Sequence, residues 1–499
     1  MKRVEDIADY VVVGTGAGGA TAARVLSGAG WEVLMLEEGP RLHTPDRPRD
    51  LLHAMRSLRD FGTATTRGVV PIPVLQGRCV GGATAVNSGI IWRIPEDVRL
   101  DWIERYGLGE LVEEKALDAA FTVIERELEV SETSAEVMGG NARLMAKASE
   151  LLGLPGKPIT RNAARCKGSA QCLQGCPGEA RQSMDVSYVP MSLKNGARLR
   201  TLVRVDKVIF EGTRAVGVEG VTLDPGTHQA VTAFTARARR AVILAASTVQ
   251  SPVILRRSGL RGMVGERFMA HPGVAVVGRF RDPVEMSFGG TQAYEVPLRD
   301  RKLKLESLSL PPEMLAARIP GAGPEWNERI TQLDHFAQWA TLVRMEAVGR
   351  VRPALFGHGS DAAVRYMPTA RDIERLRDGV ALLCRMMFAV GATEVYPGVG
   401  GLPSVMTDPA EVRLIEQSPV NATQFSMVAS HLFASVPAGR DPSNSAVDPS
   451  LAVHGTEGLY VMDSSALPTN LGVNPQHTIT ALAWMAASRL ANDSRHAQA

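Results

Sequence analysis

One short segment near the N-terminus limits the folds that this chain can adopt. The apolar residues 10–13 (YVVV) predict a buried strand, and the next six residues read GTGAGG. The pattern then predicts a helix over 20–27 and a second strand over 33–36 (VLML), which leads into Glu37. Strand, glycine turn, helix, strand and acid follow one another in this order in a βαβ unit with parallel strands. We therefore predict an α/β fold, mixed with α+β elements, that contains a Rossmann-like domain.

The glycine turn has the spacing of a dinucleotide-binding loop. Gly14 permits a tight turn, Gly16 lets the backbone approach a pyrophosphate, and Gly19 lets helix and strand pack closely. The N-terminus of the helix offers unpaired N–H groups to the phosphates. Glu37 can accept hydrogen bonds from ribose hydroxyls and would repel a 2′-phosphate. The unit predicts binding of NAD or FAD and does not separate the two.

Composition narrows the class of protein further. The chain has 499 residues, which is enough for several domains, and its net charge of +2 gives no reason to expect a nucleic-acid partner. It lacks a run of eighteen apolar residues, so no transmembrane helix is expected. Glu5, Asp6 and Asp9 interrupt the N-terminal region, which is unlike a signal peptide. We expect a cytoplasmic protein, unless a partner subunit carries it out of the cell.

Three further blocks carry a family resemblance. Residues 77–88 read GRCVGGATAVNS, residues 246–259 read ASTVQSPVILRRSG, and residues 458–480 read GLYVMDSSALPTNLGVNPQHTIT. Together with the glycine turn and VLMLEEGP at 33–40, they resemble the glucose–methanol–choline (GMC) oxidoreductase family. The resemblance implies FAD, a discontinuous FAD-binding domain and a separate substrate domain, also discontinuous, built on a mostly antiparallel sheet. It also implies oxidation of an alcohol or sugar hydroxyl by hydride transfer to the flavin.

The expected domain organisation alternates between the two domains. We predict the first part of the FAD-binding domain over 1–95, a substrate-side insertion with a cysteine loop over 96–195, the second part of the FAD-binding domain over 196–280, the substrate domain over 281–425, and a C-terminal FAD-closing and catalytic segment over 426–499. Strands are expected within 201–246 and an irregular region over 153–195. Helices are expected over 369–391, where Thr369 can cap the N-terminus, and over 478–490.

Several residues outside the glycine turn are candidates for FAD binding. Gly81 and Gly82 leave space for backbone to pass close to the cofactor, and Asn87 can place an amide near the flavin ring. No histidine stands in this block, so we expect FAD to be bound non-covalently. The resemblance implies that Asp463 lies at the ribityl and phosphate side and that the backbone of Val205 contacts adenine. An Asx-turn role at the end of a strand is the alternative for Asp463.

The predicted reaction needs a base for the hydroxyl proton and a group that binds the developing alkoxide. Imidazole suits the base because its pKa lies near neutrality. The resemblance nominates His431, in SHLFASVPAG, and its partner Asn474, in GVNPQHTIT, which would also contact the cofactor. His477 is a second candidate, with a structural role as its alternative. His271, in FMAHPG, resembles a motif near the FAD, and we assign it no catalytic role.

Three cysteines form a cluster in the sequence. Cys166, Cys172 and Cys176 have the spacing C-x5-C-x3-C on a glycine-containing loop, which suits iron–sulfur ligation. The spacing resembles that of sugar dehydrogenases of the GMC family, whose three cysteines hold a three-iron cluster, and we name a [3Fe–4S] cluster as a candidate cofactor. It is also similar to the cysteine loop of long-chain alcohol oxidases and of aminoglycoside-pathway oxidases. A disulfide, a purely structural loop and a zinc site remain open, while Cys79 and Cys384 suit core packing.

Four functions are considered for a chain with these features. The first is an FAD-dependent alcohol or sugar dehydrogenase that passes electrons to an acceptor other than NAD, such as an acceptor protein or a small subunit. The second is an alcohol oxidase that uses oxygen, for example on a long-chain or natural-product alcohol. A catalytically silent flavoprotein subunit is the third. An NAD-dependent dehydrogenase is disfavoured because the block at 458–480 would then have no purpose. Residues 280–420 carry no motif that identifies the substrate.

Overall fold

Two β-sheets organise the chain, and each has its own buried apolar core. The computed structural model describes residues 3–42, 44, 50–356 and 361–496. The outer limits of the predicted domains, residues 1 and 499, lie outside these described residues. None of the helices in the described ranges is long and apolar enough to span a bilayer.

The strands of the described residues are numbered in chain order. They are β1 (Arg3–Val13), β2 (Val33–Leu36), β3 (Ser131–Glu132), β4 (Lys157–Pro158), β5 (Thr160–Arg161), β6 (Arg198–Arg200), β7 (Val203–Glu211), β8 (Arg214–Leu223), β9 (Ala230–Leu244), β10 (Met269–Ala270), β11 (Gly273–Arg279), β12 (Tyr294–Leu298), β13 (Leu303–Ser307), β14 (Phe336–Val343), β15 (Arg350–Pro353), β16 (Ala362–Arg365), β17 (Glu394–Tyr396), β18 (Leu432–Phe433) and β19 (Leu459–Val461).

The α-helices of the described residues are numbered in the same way. They are α1 (Ala17–Gly28), α2 (Leu51–Ala54), α3 (Glu96–Tyr106), α4 (Glu114–Glu127), α5 (Gly139–Leu151), α6 (Tyr188–Lys194), α7 (Gln250–Arg257), α8 (Pro312–Ala316), α9 (Gly323–Ile330), α10 (Ala370–Ala389), α11 (Val412–Gln417) and α12 (Gln476–His496).

The first sheet has seven strands and a Rossmann-like centre. Its parallel strands lie in the order β6-β2-β1-β9-β19, which is 3-2-1-4-5 in chain order. The antiparallel strands β7 and β8 extend it beside the first half of β9. This arrangement confirms the predicted Rossmann-like fold. β1 begins at Arg3 rather than at Tyr10, because its charged N-terminal half also pairs with β9, and Asp6 there is paired with Arg198.

The second sheet has six strands in the order β17-β11-β14-β13-β12-β4, and every neighbouring pair is antiparallel. This confirms the prediction of a mostly antiparallel sheet. Helices α5 and α10 pack on one face and form the second core with it. A small separate apolar cluster is formed by Ala275 of β11 and by Ala340 and Leu342 of β14. These three residues line a cavity on the face of the second sheet that α5 and α10 do not cover.

The sequence pattern located several elements well. β2 has the predicted bounds, and α10 carries a capping box in which Thr369 and Asp372 each accept a backbone N–H of the other. α12 begins at Gln476, two residues before the expected start. The region 153–195 contains short strands and α6 in addition to loops. The domain boundaries stay a prediction. Two strands of the second sheet come from segments outside the predicted substrate domain: β11 lies in the segment 196–280, and β4 lies in the segment 96–195.

Helix α1 lies so close to neighbouring backbone that only glycine fits at two of its positions. A Cβ at Gly18 would lie 1.6 Å from the carbonyl oxygen of Met462, after β19, and a Cβ at Gly19 would lie 2.0 Å from that of Gly14. These contacts fix the N-terminus of the helix against the ends of the parallel strands.

We expect Gly18→Ala to lower the free energy of unfolding by ~1–3 kcal/mol or more, as overpacking does, because the backbone of α1 and the backbone at Met462 must move apart. Thermal unfolding followed by circular dichroism measures the effect. Gly28→Ala, in the same helix, is the matched control, since its new Cβ meets only the flexible end of Arg24 at 2.8 Å. Equal melting temperatures for Gly18→Ala and the wild type would contradict the packing argument.

Candidate active site

A cavity of about 700 Å³ lies where the two sheets face each other. One wall is formed at the carboxyl ends of the parallel strands, including Gly14 after β1, Glu37 after β2 and Ala245 after β9. The other wall includes Ala275 and Leu342 of the second sheet. Open α/β sheets bind their ligands at the carboxyl ends of their strands. The cavity is therefore where a ligand of this fold is expected.

The glycine turn opens directly into the cavity. Gly16 is the N-cap of α1 and has no capping side chain, and a Cβ built on it meets no atom within 4 Å. Gly82 faces it across a narrow gap, since a Cβ there would lie 3.0 Å from the Cα of Gly16. Gly81 has a φ of 90° and donates its N–H to Thr15 Oγ1 at 3.1 Å, which shapes the turn rather than the cavity lining.

Glu37 is buried at the end of β2 and lines the cavity together with Val205. Its Oε2 accepts hydrogen bonds from the backbone N–H and the hydroxyl of Thr15, at 3.1 and 2.7 Å, and its Oε1 accepts the N–H of Gly39 at 2.9 Å. Burial raises the pKa of Glu37 despite these bonds. Each carboxylate oxygen has two lone pairs, so acceptor capacity remains for a ribose.

Asp463 follows β19 and is also buried at the cavity wall. Its Oδ1 accepts the N–H of Ser465 at 2.8 Å, which is the Asx-type cap anticipated as an alternative. Its Oδ2 accepts the N–H of Ser247 at 3.0 Å and the hydroxyl of Ser251. Burial raises the pKa of Asp463. Capping and lining the cavity are therefore compatible roles for this residue.

Asn87 and Gln476 both line the cavity and form a hydrogen bond with each other. Asn87 donates its Nδ2 to Gln476 Oε1 at 2.7 Å and accepts the N–H of Gly89 at 2.9 Å. Gln476 is buried and lines the cavity, and its Nε2 has no hydrogen-bond partner within the part of the chain that the structure describes. A buried donor without an acceptor is costly. Gln476, which no sequence motif identified, therefore offers a hydrogen bond to a bound ligand.

His431 and Asn474, which are distant in the sequence, form a pair in the same cavity. Asn474 Nδ2 lies 3.1 Å from His431 Nε2, and Asn474 Oδ1 accepts the ammonium of Lys304 at 2.6 Å. Burial, together with the positive charge of Lys304, lowers the pKa of His431 to about 3, so its imidazole is neutral. Nδ1 of His431 lies 3.3 Å from Nδ1 of His271. The pair thus presents a neutral base beside an amide donor.

His477 lies away from the cavity lining. Its Nε2 is 2.9 Å from Glu125 Oε1 on α4, and its ring packs on Phe121 with a centroid distance of 4.6 Å. Burial lowers the pKa of His477, and Glu125 opposes this shift. The geometry favours the structural alternative for His477 over a catalytic role.

The cysteine loop does not gather its thiols around a metal position. Arg161 donates to Cys172 Sγ at 3.1 Å and lies 3.9 Å from Cys166 Sγ, while Cys176 is half-buried in the same loop. Among the described residues, no three His, Cys, Asp or Glu side chains are placed to hold a metal ion, and no two cysteines are joined by a disulfide. The [3Fe–4S], zinc and disulfide expectations are thus not supported. The guanidinium of Arg161 lies beside two of the three sulfur atoms, those of Cys166 and Cys172.

The same loop supports the cavity wall. Arg161 donates its Nε to the carbonyl of Ser88 at 2.9 Å, and Arg181 donates to the carbonyls of Ala85 and Cys172. Burial alone would raise the pKa of the Cys172 thiol, but the two guanidinium groups lower it overall. The structural alternative, in which the loop shapes the site, agrees with these contacts.

Known proteins with similar sequences identify the family of this chain. The family model for GMC oxidoreductases matches residues 8–273 and 357–483. A GMC-type oxidoreductase of Mycobacterium tuberculosis is 34% identical, over 97% of this chain and 75% of its own length. The chain belongs to the GMC oxidoreductase family.

Two further similarities are to proteins with a named activity. A long-chain-alcohol oxidase of Arabidopsis thaliana is 28% identical to this GMC oxidoreductase, over 97% of the chain and 67% of its own length. The structure of a formate oxidase variant from Aspergillus oryzae superposes with a TM-score of 0.74 at 16% identity, covering 99% of both chains. At this identity the superposition shows the shared fold.

FAD is the cofactor of GMC oxidoreductases, and the residues of this chain fit it. The open space at Gly16 and the uncapped N-terminus of α1 suit a pyrophosphate. The Nε2 of Gln476, which has no partner among the described residues, suits an acceptor on the flavin ring. Glu37, Val205, Asp463 and Asn87 line the same cavity, so we propose that they hold the cofactor as the sequence analysis expects.

We expect FAD to be bound without a covalent link. Among the described residues that line the cavity there is no cysteine, and His431 is the only histidine. Acid precipitation of the purified protein should therefore release the flavin into the supernatant, where its absorbance and fluorescence measure it. A yellow pellet with a flavin-free supernatant would contradict this expectation.

Proposed function

We propose that this GMC oxidoreductase is an alcohol oxidase that acts on an alcohol with an apolar body and uses oxygen as its electron acceptor. The observation that carries the proposal is the pair formed by His431 Nε2 and Asn474 Nδ2, 3.1 Å apart in the cavity that also contains Gly16. Base, hydrogen-bond donor and cofactor loop are the three parts that base-assisted hydride transfer requires.

The pair explains how a hydroxyl is recognised and activated. A substrate hydroxyl that reaches it replaces the internal hydrogen bond, donating its proton to His431 Nε2 and accepting one from Asn474 Nδ2. His431 takes the proton while the amide of Asn474 stabilises the negative charge that develops on the oxygen. FAD, when bound, supplies the acceptor for the hydride that leaves the same carbon. The substrate becomes an aldehyde or a ketone.

The lining of the substrate side supports an apolar substrate. Ala275, Ala340 and Leu342 form the small apolar cluster of the second sheet, and Leu308 packs against it. Leu310 continues the same lining. Burial of an alkyl chain here is favourable by roughly 0.8 kcal/mol per methylene. The similarity to long-chain-alcohol oxidases supports an alkyl alcohol more than the sugar that the sequence also allowed.

Oxygen is the simplest acceptor for this site. In the cysteine loop, Arg161 lies beside the thiols of Cys172 and Cys166, and the described side chains do not support a metal relay, which removes the main reason to expect an acceptor protein. The similarity to proteins named oxidases points the same way. In the overall reaction, the alcohol loses two electrons and two protons, and oxygen gains both to form hydrogen peroxide.

Hydrogen peroxide production tests the proposal. We expect a series of primary alcohols of increasing chain length to reduce the flavin, with one peroxide formed per carbonyl product, and glucose to be a poorer substrate. A coupled peroxidase assay with product analysis measures both. Flavin that is reduced by alcohols but reoxidised only by artificial acceptors would show a dehydrogenase. Flavin that no alcohol reduces would refute the proposal.

Substitution of the pair should stop the reductive step. We expect His431→Ala to slow flavin reduction about 10²–10⁴-fold, by loss of the general base, and Asn474→Ala about 10²–10³-fold, by loss of the amide donor. Anaerobic stopped-flow absorbance at the flavin band measures the rates. His477→Ala is the contrasting variant and should affect stability more than rate. A wild-type rate in His431→Ala would contradict the assignment of His431 as the base.

The pH dependence follows from the sign of the shift at His431. Because its pKa is lowered to about 3, the imidazole is already a neutral base in weak acid. We expect kcat/KM for flavin reduction to stay level between about pH 5 and pH 8 and to fall only toward more acidic pH. A rate that increases with an apparent pKa near 6.5 would show an unshifted histidine and contradict this expectation.

A further inference from the structure

A buried cluster of three charged side chains lies behind the catalytic pair. Lys304 on β13, Glu306 on β13 and Glu295 on β12 each have only 1% of their side-chain surface exposed. Glu295 lies directly opposite Glu306 in the antiparallel register, and Lys304 is two residues from Glu306. All three side chains therefore project from the face of the second sheet that forms the cavity wall.

The ammonium of Lys304 is fully engaged by this cluster and by the site. Its Nζ lies 2.8 Å from Glu295 Oε2, 2.5 Å from Glu306 Oε1 and 2.6 Å from Asn474 Oδ1. An ammonium has three N–H donors and no lone pair, so the three acceptors account for all of them. Burial alone would lower the pKa of Lys304, but the two carboxylates raise it overall, and the group stays charged.

The direction of the hydrogen bonds follows from this charge. Lys304 can only donate, so Asn474 must turn its Oδ1 toward Lys304 and its Nδ2 toward His431. His431 Nε2 then accepts a hydrogen bond and cannot carry the proton. In a neutral imidazole the proton is consequently on Nδ1, which lies 3.3 Å from Nδ1 of His271 and donates to it.

We propose that Lys304 is a positioning residue that fixes the amide of Asn474 and, through it, the tautomer of His431 that keeps a free lone pair on Nε2. The proposal rests on the roles of His431 and Asn474 in the proposed function. Without the ammonium, the amide can rotate by half a turn and present Oδ1 to His431. That orientation favours the tautomer protonated on Nε2, which has no lone pair at the position of the substrate hydroxyl.

The surrounding charges are consistent with this role. His271 contacts His431 directly, and burial, followed by the proximity of the His431 ring, holds the pKa of His271 well below its usual range. Lys304 adds to the lowering of the pKa of His431. Both rings are therefore neutral, and one proton lies between their facing nitrogens. Lys304 thus determines the direction of a line of hydrogen bonds that passes through Asn474 and His431 to His271.

The experiment compares three variants of the FAD-loaded protein. Lys304→Met removes the ammonium and keeps most of the side-chain length. Lys304→Met combined with Glu306→Gln also removes one negative charge, so the net charge of the cluster is unchanged, and Glu295 keeps its ion pair with Lys157 at 3.6 Å. Lys302→Met is the matched control, since Lys302 lies just before β13 and forms a more exposed ion pair with Glu346.

Two measurements report on the proposal. Long-range ¹H–¹⁵N spectra of protein labelled at histidine, with the His431 signals identified by their loss in His431→Asn, report the tautomer without any substrate. We expect the Nδ1-protonated tautomer in the wild type and in Lys302→Met, and the Nε2-protonated tautomer or a mixture in both Lys304 variants. Stopped-flow reduction should slow about 10²-fold in both, with kcat changed more than KM.

The outcomes separate the two proposals. A charge-matched double variant that retains the Nδ1-protonated tautomer and reduces its flavin at the wild-type rate would overturn the role of Lys304. If Lys304→Met does not fold, the double variant decides the question alone. If no alcohol reduces the wild-type flavin, the proposed function fails, and the tautomer spectra still decide whether Lys304 orients His431.

Discussion

The close packing of helix α1 on backbone determines where this protein can bind and react. Gly18 and Gly19 let the helix approach the carbonyls of Met462 and Gly14, which directs its N-terminus to the carboxyl ends of the parallel strands. Gly16 then faces empty space, where partial positive charge and unpaired N–H groups meet the cavity. The other contributions to the site depend on this placement, because they converge on the same cavity from later segments of the chain.

The two sheets contribute different chemistry to the cavity. The parallel sheet offers backbone and the buried acids Glu37 and Asp463, which suit a dinucleotide. The antiparallel sheet offers an apolar surface and one buried ammonium, Lys304, which reaches the catalytic amide of Asn474. A charge this deeply buried is expensive unless it is fully paired. Its pairing with two carboxylates and one amide is consistent with a requirement for orientation rather than for stability alone.

The cysteine loop shows how spacing can mislead. Three thiols within a short loop satisfy the sequence pattern of an iron–sulfur site, and the pattern contains no information about Arg161. In the folded chain this arginine lies beside Cys172 and Cys166 and also holds the carbonyl of Ser88, so the loop supports the cavity wall. A cation from a neighbouring strand was needed to distinguish the two interpretations.

The sequence by itself determined the elements whose physics is local. Glycine spacing, the strand at 33–36 and the capping box at Thr369 depend on neighbours within a few residues, and these predictions agree with the structure. The pairing of His431 with Asn474 was anticipated only through family resemblance. Only the tertiary structure brings Lys304 to Asn474, which is 170 residues away in the sequence. It also places His477 beside Glu125 and not in the cavity lining. Hydrogen-bond direction and burial depend on which strands become neighbours, and no local pattern encodes that.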